Sequence, residues 1–373
     1  MTDPALPAYG GGTIADLLPA VGAHLGQPGA VDTLGLPSAQ RYVVLLVDGL
    51  GWEQREHWQA VAPHLAELAA GREPITCGAP STTSTSITSL GTGLAPGEHG
   101  IAGYSFRYPG TGQVLNTLAW PAGVHALDVQ PQPTWFERLA RLGVHTATVA
   151  PQRFAGSGLT LSALRGPHFV PVVDESDHDG VVELVADAAA TGERSLVYAY
   201  ERGLDHAGHG HGVGSPEWLV QLGRCDALAA SLRRALPADV VLVVTGDHGM
   251  VNVPPRERLV AEDDPRLMQD VTALAGEGRL RQLYAPAGRA EAVRERWRER
   301  LGERAWVLLR DEAFAAGWFG PRNARVADRF GDVIVAMAGN GAVMSRTLPG
   351  EFSLVGMHGS LTLAELAVPL LVA

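Results

Sequence analysis

Four runs of strand length are apolar at almost every position: Arg41–Val47, Val144–Val149, Ser195–Tyr200 and Asp239–Thr245. A strand with one wet face alternates apolar and polar residues. A strand apolar on both faces belongs inside a parallel sheet covered by helices. Helix candidates fall between these runs at Glu53–Ala70, Pro133–Leu142, Gly180–Ala190 and Pro216–Leu236. The last opens at Ser215-Pro216, a capping residue followed by proline at the first helical position. The alternation predicts an α/β fold built on one large, mostly parallel sheet.

From about Asn252 to Arg329 the texture changes. Arginine-rich helix, as in Ala290–Leu301, alternates with short strands such as Arg281–Tyr284 and Trp306–Leu309. This reads as an inserted αβ subdomain, approximately 252–330, within a single domain spanning 1–373. Asp332–Ala338 then returns as a strand, and the chain ends with His358 and an apolar tail. Gly10–Gly12 and Gly156–Gly158 read as loops, and no internal repeat is present.

Composition excludes several classes. A net charge of -11 is a poor basis for general nucleic-acid binding, and no aromatic–basic interleaving marks a nucleic-acid groove. All 29 basic residues are arginine. With no lysine there is neither a Schiff-base enzyme of the pyridoxal-phosphate kind nor a Walker-type phosphate loop. Cys77 and Cys225 lie in no CxxC motif, and two buried free thiols fit a reducing compartment. Met1–Gln27 has no basic segment leading into an apolar stretch, so no signal peptide, no membrane span and a cytoplasmic location are expected.

Ligands of open parallel sheets bind outside the carboxyl ends of the strands. Asp48 follows the first apolar run, Asp205 and His209 follow Ser195–Tyr200, and Asp247-His248 follows Asp239–Thr245. Singly these are ordinary: Asp48-Gly49 is a turn signal, and Gly203–Gly212 has the look of a flexible, glycine-rich loop. Their coincidence at one sheet edge points to metal, because carboxylate oxygen and imidazole nitrogen are ligands zinc accepts. Two divalent ions would offset the repulsion among carboxylates sharing one pocket.

Between Ser81 and Ser89, eight of nine side chains carry a hydroxyl. Ile87 and Leu90 sit three apart, and Gly91-Thr92-Gly93 closes the run as a helix stop would, so a short helix from near Thr83 is expected. A hydroxyl at a helix N-terminus suits phosphoryl chemistry, since free N–H groups and the dipole stabilise a phosphate beside it. An alcohol is a weak nucleophile at neutral pH unless a metal lowers its pKa.

Pro80-Ser-Thr-Thr83 followed by Thr92-Gly93-Leu-Ala-Pro96-Gly-Glu-His99-Gly100-Ile101 resembles the nucleophile region of the nucleotide pyrophosphatase/phosphodiesterase family of the alkaline phosphatase superfamily. Val47-Asp48-Gly49, Asp205-His-Ala-Gly-His209, Thr245-Gly-Asp247-His248-Gly249-Met250 and Met357-His358-Gly359 follow in the family's order. The resemblance implies an alkaline-phosphatase-like three-layer sandwich and two divalent ions, zinc or alternatively manganese. Asp205, His209 and His358 would hold one ion; Asp48, Asp247 and His248 would hold the other. Thr83 would lie between the metals and attack phosphorus, giving a phospho-threonine intermediate, with Thr82 as the rival nucleophile. The implied partner is a small phosphoester, such as a nucleotide.

Family members that act on nucleotides carry Pro-Asn-His after the nucleophile, where this chain has Thr85-Ser86-Ile87. Ser86 offers one weaker hydrogen bond in place of the asparagine. The Cys-x-Pro-x-Arg signature of related sulfatases is absent. Tyr104, Arg107, Asn116, Trp120 and Arg153 are candidates to line a substrate pocket, with Tyr104 and Asn116 foremost. His99 reads as structural, and His206 and His211 flank stronger candidates. A phosphodiesterase leads. A phosphomonoesterase, phosphonate hydrolase or phosphomutase on the same metal site is the first rival, and a non-catalytic metal-binding protein the second.

Overall fold

A computed structural model describes residues 3–373. Five parallel strands form the main sheet: β1 (Arg41–Val47), β2 (His145–Pro151), β3 (His168–Val172), β4 (Ser195–Glu201) and β5 (Val240–Gly246). A second, antiparallel sheet follows, made of β6 (Ala273–Glu277), β7 (Leu280–Tyr284), β8 (Ala305–Leu309) and β9 (Val333–Met337) in the order β6-β7-β9-β8. The apolar tail then adds β10 (Leu370–Val372) antiparallel to β5, so the main sheet runs β10-β5-β1-β4-β2-β3. The Asp332–Ala338 run thus lies between β7 and β8, and the second sheet continues past residue 330.

Both faces of the main sheet are covered, as the unbroken apolar runs require. Tyr42, Val44 and Leu46 of β1 enter one core with Leu17, Ile87 and Leu90; the last two belong to α1 (Thr83–Thr92). Val43, Leu45 and Val47 enter the opposite core with α2 (His178–Ala190), α3 (Gly203–His211) and α4 (Pro216–Ala235). At about 1.5–3 kcal/mol per buried aliphatic side chain, β1 anchors both layers at once. Ser215 caps α4 by accepting from the Trp218 amide, with Pro216 in the first turn, as the sequence predicts.

Two stretches fold differently from expectation. Glu53–Ala70 is three short pieces, Glu53–His57, Trp58–Val61 and Pro63–Ala69. Pro63 disfavours helical backbone at the residue before it, and Ala62 sits at φ -136 and ψ 61. The glycine-rich stretch after β4 is the helix α3, not a loop. Gly208 serves packing: a Cβ there would lie 2.4 Å from the Met250 sulfur. Among the described residues no helix is long and apolar enough to cross a membrane.

Strand register sets up the site. Val47 pairs with Glu201 on one side and Gly246 on the other, so the chain leaves β1, β4 and β5 at one level. Asp48 and Asp247 follow directly, and Asp205 comes one turn later on α3.

Candidate active site

Helical spacing in α3 brings Asp205 and His209 onto one face, with Oδ1 and Nε2 3.4 Å apart. His358, from the turn after the short strand Gly356–Met357, places its Nε2 3.8 Å from the same carboxylate oxygen. The ligand atoms of these three residues all lie within 4.8 Å of one another. A second such group joins Asp48, Asp205 and His248. Asp247 stands beside it, with Oδ2 3.6 Å from His248 Nε2 and Oδ1 accepting from the Gly49 amide at 3.1 Å. Gly49 is required there: its φ is +78°, and a Cβ would lie 3.0 Å from the Asp205 Cα.

All three histidines are oriented in the same way. Nδ1 of His209, His248 and His358 lies 2.8, 3.0 and 2.9 Å from the carbonyls of Gly356, Gly249 and Ser81 respectively. A carbonyl oxygen only accepts, so each Nδ1 carries the proton in the neutral ring and each Nε2 presents a lone pair to the cluster. That is the arrangement metal-binding histidines use. The Tyr200 hydroxyl donates to Asp48 Oδ2 from the end of β4.

The cluster is short of positive charge. Asp205 Oδ1 and Asp247 Oδ2 are buried without a hydrogen-bond partner. Burial, then the neighbouring Asp48, pushes Asp247 up to about 8 and Asp205 up to about 6. Burial would lower His248, but Asp247 and Asp48 together raise it to about 10. Burial first and His248 second hold His358 well below its ordinary range. Protons are retained here in place of cations, and the donor set fits divalent metal.

Thr83 opens α1, and Thr82 stands just before it in extended backbone. The Thr83 hydroxyl lies 3.2 Å from His248 Nε2 and 3.5 Å from Asp48 Oδ1. The Thr82 hydroxyl turns elsewhere, 3.4 Å from Glu277 Oε2. Gly93 closes the helix at φ +71°, the left-handed stop that the sequence predicts.

A cavity of about 1100 Å³ opens over these residues. Tyr104, Trp120, Phe154, Leu159 and Phe169 give it an apolar wall, with Arg153 and Arg202 also on its lining. Ser86 is fully buried and is not on the lining; Ser84 and Ile87, one helical stripe over, are. Asn116 also lies off the lining. Its side-chain amide donates to the Tyr104 hydroxyl at 2.8 Å, and its oxygen accepts from the Leu118 and Ala119 amides. It therefore orients Tyr104 from behind. Arg107 is exposed away from the cavity, His211 faces Glu217, and His206 is on the lining. His99 is structural: its ring is held between the Ser89 hydroxyl and the Ile101 amide.

Several cavity residues have no counterpart among the sequence candidates, and two of them touch the ligand cluster: Tyr200 beside Asp48 and Glu277 beside His358. Tyr200 is hidden within an apolar run, and Glu277 arrives from β6, where Gly276-Glu277-Gly278 carries no motif. Burial pushes Glu277 up to about 8.

A mostly parallel α/β sheet thus carries, at its strand ends, two overlapping groups of carboxylates and imidazoles suited to metal, with a hydroxyl beside them. The chain belongs to the type I phosphodiesterase / nucleotide pyrophosphatase family, matched over residues 42–361. At the coarse level this assigns phosphoester hydrolysis. Similar folds include murine ectonucleotide pyrophosphatase / phosphodiesterase 5, with TM-score 0.72 and 18% identity over 89% of this chain and 88% of that one. A further structure of that mouse protein is an inactive threonine variant in complex with AMP. Phosphonoacetate hydrolase from Sinorhizobium meliloti, bound to phosphonoformate, gives TM-score 0.68 and 19% identity over 90% and 91%. The catalytic subunit of human GPI ethanolamine phosphate transferase 3 is 36% identical over 86 residues. That stretch is 22% of this chain and spans only 8% of the human protein.

Proposed function

We propose that the chain is a metal-dependent phosphodiesterase with nucleotide pyrophosphatase character, acting through a phosphorylated Thr83. One observation carries the reading: the Thr83 hydroxyl is 3.2 Å from His248 Nε2 and 3.5 Å from Asp48 Oδ1, at the edge of the ligand cluster. Asp205, His209 and His358 would hold one divalent ion, and Asp48, Asp247 and His248 the other. Zinc suits this set best, and manganese is also accommodated. Bound ions supply Lewis acidity, lowering the pKa of a hydroxyl and offsetting phosphoryl charge.

The chain's own groups do the rest. Thr83 Oγ loses its proton to solvent as it bonds to phosphorus, and the P–O bond to the leaving alcohol breaks. Water then displaces Thr83 to release the phosphorylated product. The amides of the first turn of α1 face the developing oxyanion with the positive end of the helix dipole. Tyr200 holds Asp48 in place. The apolar wall of Tyr104, Trp120 and Phe154 takes up an organic arm of the substrate and excludes water. A monoester or phosphonate reading needs an unneutralised cation for the extra charge. Arg153 and Arg202 both donate to Glu175, at 2.5 and 2.8 Å, which leaves one net positive charge on the cavity lining and keeps the monoester or phosphonate reading as the first alternative.

The segment 252–330 is read as a subdomain inserted in a single catalytic domain. Its apolar core of Leu283, Val293, Trp297 and Val307 supports this, as does the reach of Glu277 into the cavity. A cytoplasmic setting is supported by two buried, free cysteines.

The test is hydrolysis of p-nitrophenyl thymidine monophosphate and p-nitrophenyl phosphate by zinc- or manganese-loaded protein, beside Thr83→Ala. Faster diester cleavage that disappears in Thr83→Ala is expected. Preference for the monoester moves the chain to the phosphatase branch on the same site, and turnover of neither with metal bound refutes the reading.

A further inference from the structure

Helix α3 carries Asp205 and His209, and its two ends are held by different contacts. At the far end, the His209 carbonyl accepts from the Val355 amide at 2.7 Å. The near end has no cap from its own flanking residue, because Arg202 stands at the N-cap position and makes no side-chain capping bond. Glu201, the last residue of β4 and absent from the cavity lining, takes that place. Its Oε1 accepts from the Gly203 amide at 2.8 Å, and its Oε2 accepts from the buried Cys225 thiol of α4 at 3.2 Å. The first amides of a helix have no partner within the helix, and the dipole favours a carboxylate beside them. Gly203 suits the contact, since a Cβ on it would lie 2.7 Å from Glu201 Oε1. Through its backbone, the same Glu201 accepts from the Asp48 amide at 2.8 Å.

We infer that Glu201 is a positioning residue, whose carboxylate sets where Asp205 stands relative to Asp48. The inference rests on the metal-site reading of the ligand cluster. Asp205 lies two residues past Gly203 in the first turn of α3, and it is the side chain that the two groups of metal-suited ligands share. The connection runs from the Asp48 amide through the strand-end peptide of Glu201 to its carboxylate, and from there to the turn that bears Asp205. His209, one turn further on, is anchored separately by Val355, so losing the carboxylate frees Asp205 first. Because Asp205 serves both ligand groups, its displacement weakens both metal positions together. The contact that matters is a hydrogen bond to an amide, so a neutral acceptor of the same length would serve in place of the carboxylate.

The experiment measures zinc affinity, by competition with a chromogenic chelator, in wild type, Glu201→Ala, Glu201→Gln and Gly203→Ala. The melting transition and the kcat and KM of diester hydrolysis are recorded alongside. Glu201→Ala should bind zinc about 10–100-fold more weakly and lose a similar factor in kcat, with KM little changed. Glu201→Gln keeps an acceptor for the Gly203 amide and should recover most of that loss. Gly203→Ala leaves the carboxylate in place and drives a methyl group into it. Alanine is also the better helix former, so a merely structural role predicts no loss of stability and unaltered zinc affinity in this variant. The proposal predicts weaker zinc binding and lower kcat there too. If Glu201→Ala does not melt cooperatively, Gly203→Ala decides. Wild-type zinc affinity in both alanine variants overturns the proposal, as does a loss in Glu201→Gln equal to that in Glu201→Ala, which would assign the effect to charge. Wild-type protein that binds no zinc sinks the metal reading and the proposal with it, whereas zinc binding that ignores these substitutions sinks the proposal alone.

Discussion

The Tyr200 hydroxyl donates a hydrogen bond to Asp48 Oδ2 across the gap between two neighbouring strands. It fixes the rotation of a carboxylate whose other oxygen faces His248 at 3.3 Å. With Asp48 as the proposed metal ligand, removing such an outer partner is expected to cost about 10–100-fold in metal affinity or activity. Tyr200→Phe should therefore lower kcat/KM by roughly ten-fold or more and weaken zinc binding, while the melting transition stays cooperative. Zinc titration with parallel kinetics checks this; wild-type metal affinity in the variant would remove Tyr200 from the account.

Metal should also stabilise the fold. Asp48 and Asp247 are buried and Asp205 is half-buried beside them, so a divalent ion that binds only the folded state would relieve their repulsion and raise stability by mass action. Chelation should abolish hydrolysis and lower the Tm, and added zinc should restore both in a concentration-dependent way. Asp247→Asn and His358→Ala should lose activity together with metal. A variant that lost metal yet kept full turnover would show the ligand assignment to be mistaken.

His99 predicts a pH dependence of stability. The Ile101 amide donates to Nδ1 at 3.0 Å, so the neutral ring carries its proton on Nε2 and donates to the Ser89 hydroxyl at 3.0 Å. Burial, and secondarily Arg329, lowers the pKa from 6.5 to about 3. Because the folded value lies below the unfolded one, the unfolded chain binds the extra proton between those limits. The stabilisation is complete above about pH 6.5 and is lost as pH falls toward 3. His99→Gln preserves one acceptor and one donor and should flatten this acid slope. Denaturant midpoints of the two proteins at pH 7 and pH 4.5 measure it, and parallel slopes would contradict the assignment.

Arg279 ties the second sheet to the site. Its Nε and Nη2 donate to the two oxygens of Glu365 at 2.9 and 2.6 Å, with both side chains fully buried. Glu365 in turn accepts from the Ser360 amide, two residues after His358. Breaking a buried pair leaves an uncompensated charge, so Arg279→Met should destabilise by about 3–5 kcal/mol. Replacing both partners with apolar residues of similar size should cost much less than that. Chemical denaturation of the single and double variants separates the two, and equal losses would refute the pairing argument.

The sheet and the convergence of Asp48, Asp205, His209, Asp247 and His248 on one edge were legible in sequence because each follows a strand closely. Short connections leave little freedom, and strand register does the rest. Less was legible where placement depends on side-chain direction or on distant chain. Tyr200 reads as one more apolar residue of a buried strand, and only the β1–β4 register turns its hydroxyl to Asp48. Ser86 and Ser84 are indistinguishable in a hydroxyl-rich run until the rotation of α1 is known. Glu277 reaches the cavity from a sheet nearly two hundred residues beyond Thr82, with no local pattern to mark it. Glycine misled in α3, where it permits close packing of a helix and not the flexibility of a loop.

The central claim is that Thr83 becomes covalently phosphorylated during turnover. Zinc-loaded protein mixed with p-nitrophenyl thymidine monophosphate, quenched in acid within a turnover and digested, can be mapped by fragmentation mass spectrometry. The account predicts a thymidylate adduct on Thr83 that decays on longer incubation and is absent from Thr83→Ala. An adduct on Thr82, or turnover that persists in Thr83→Ala with no adduct on any residue, would contradict it.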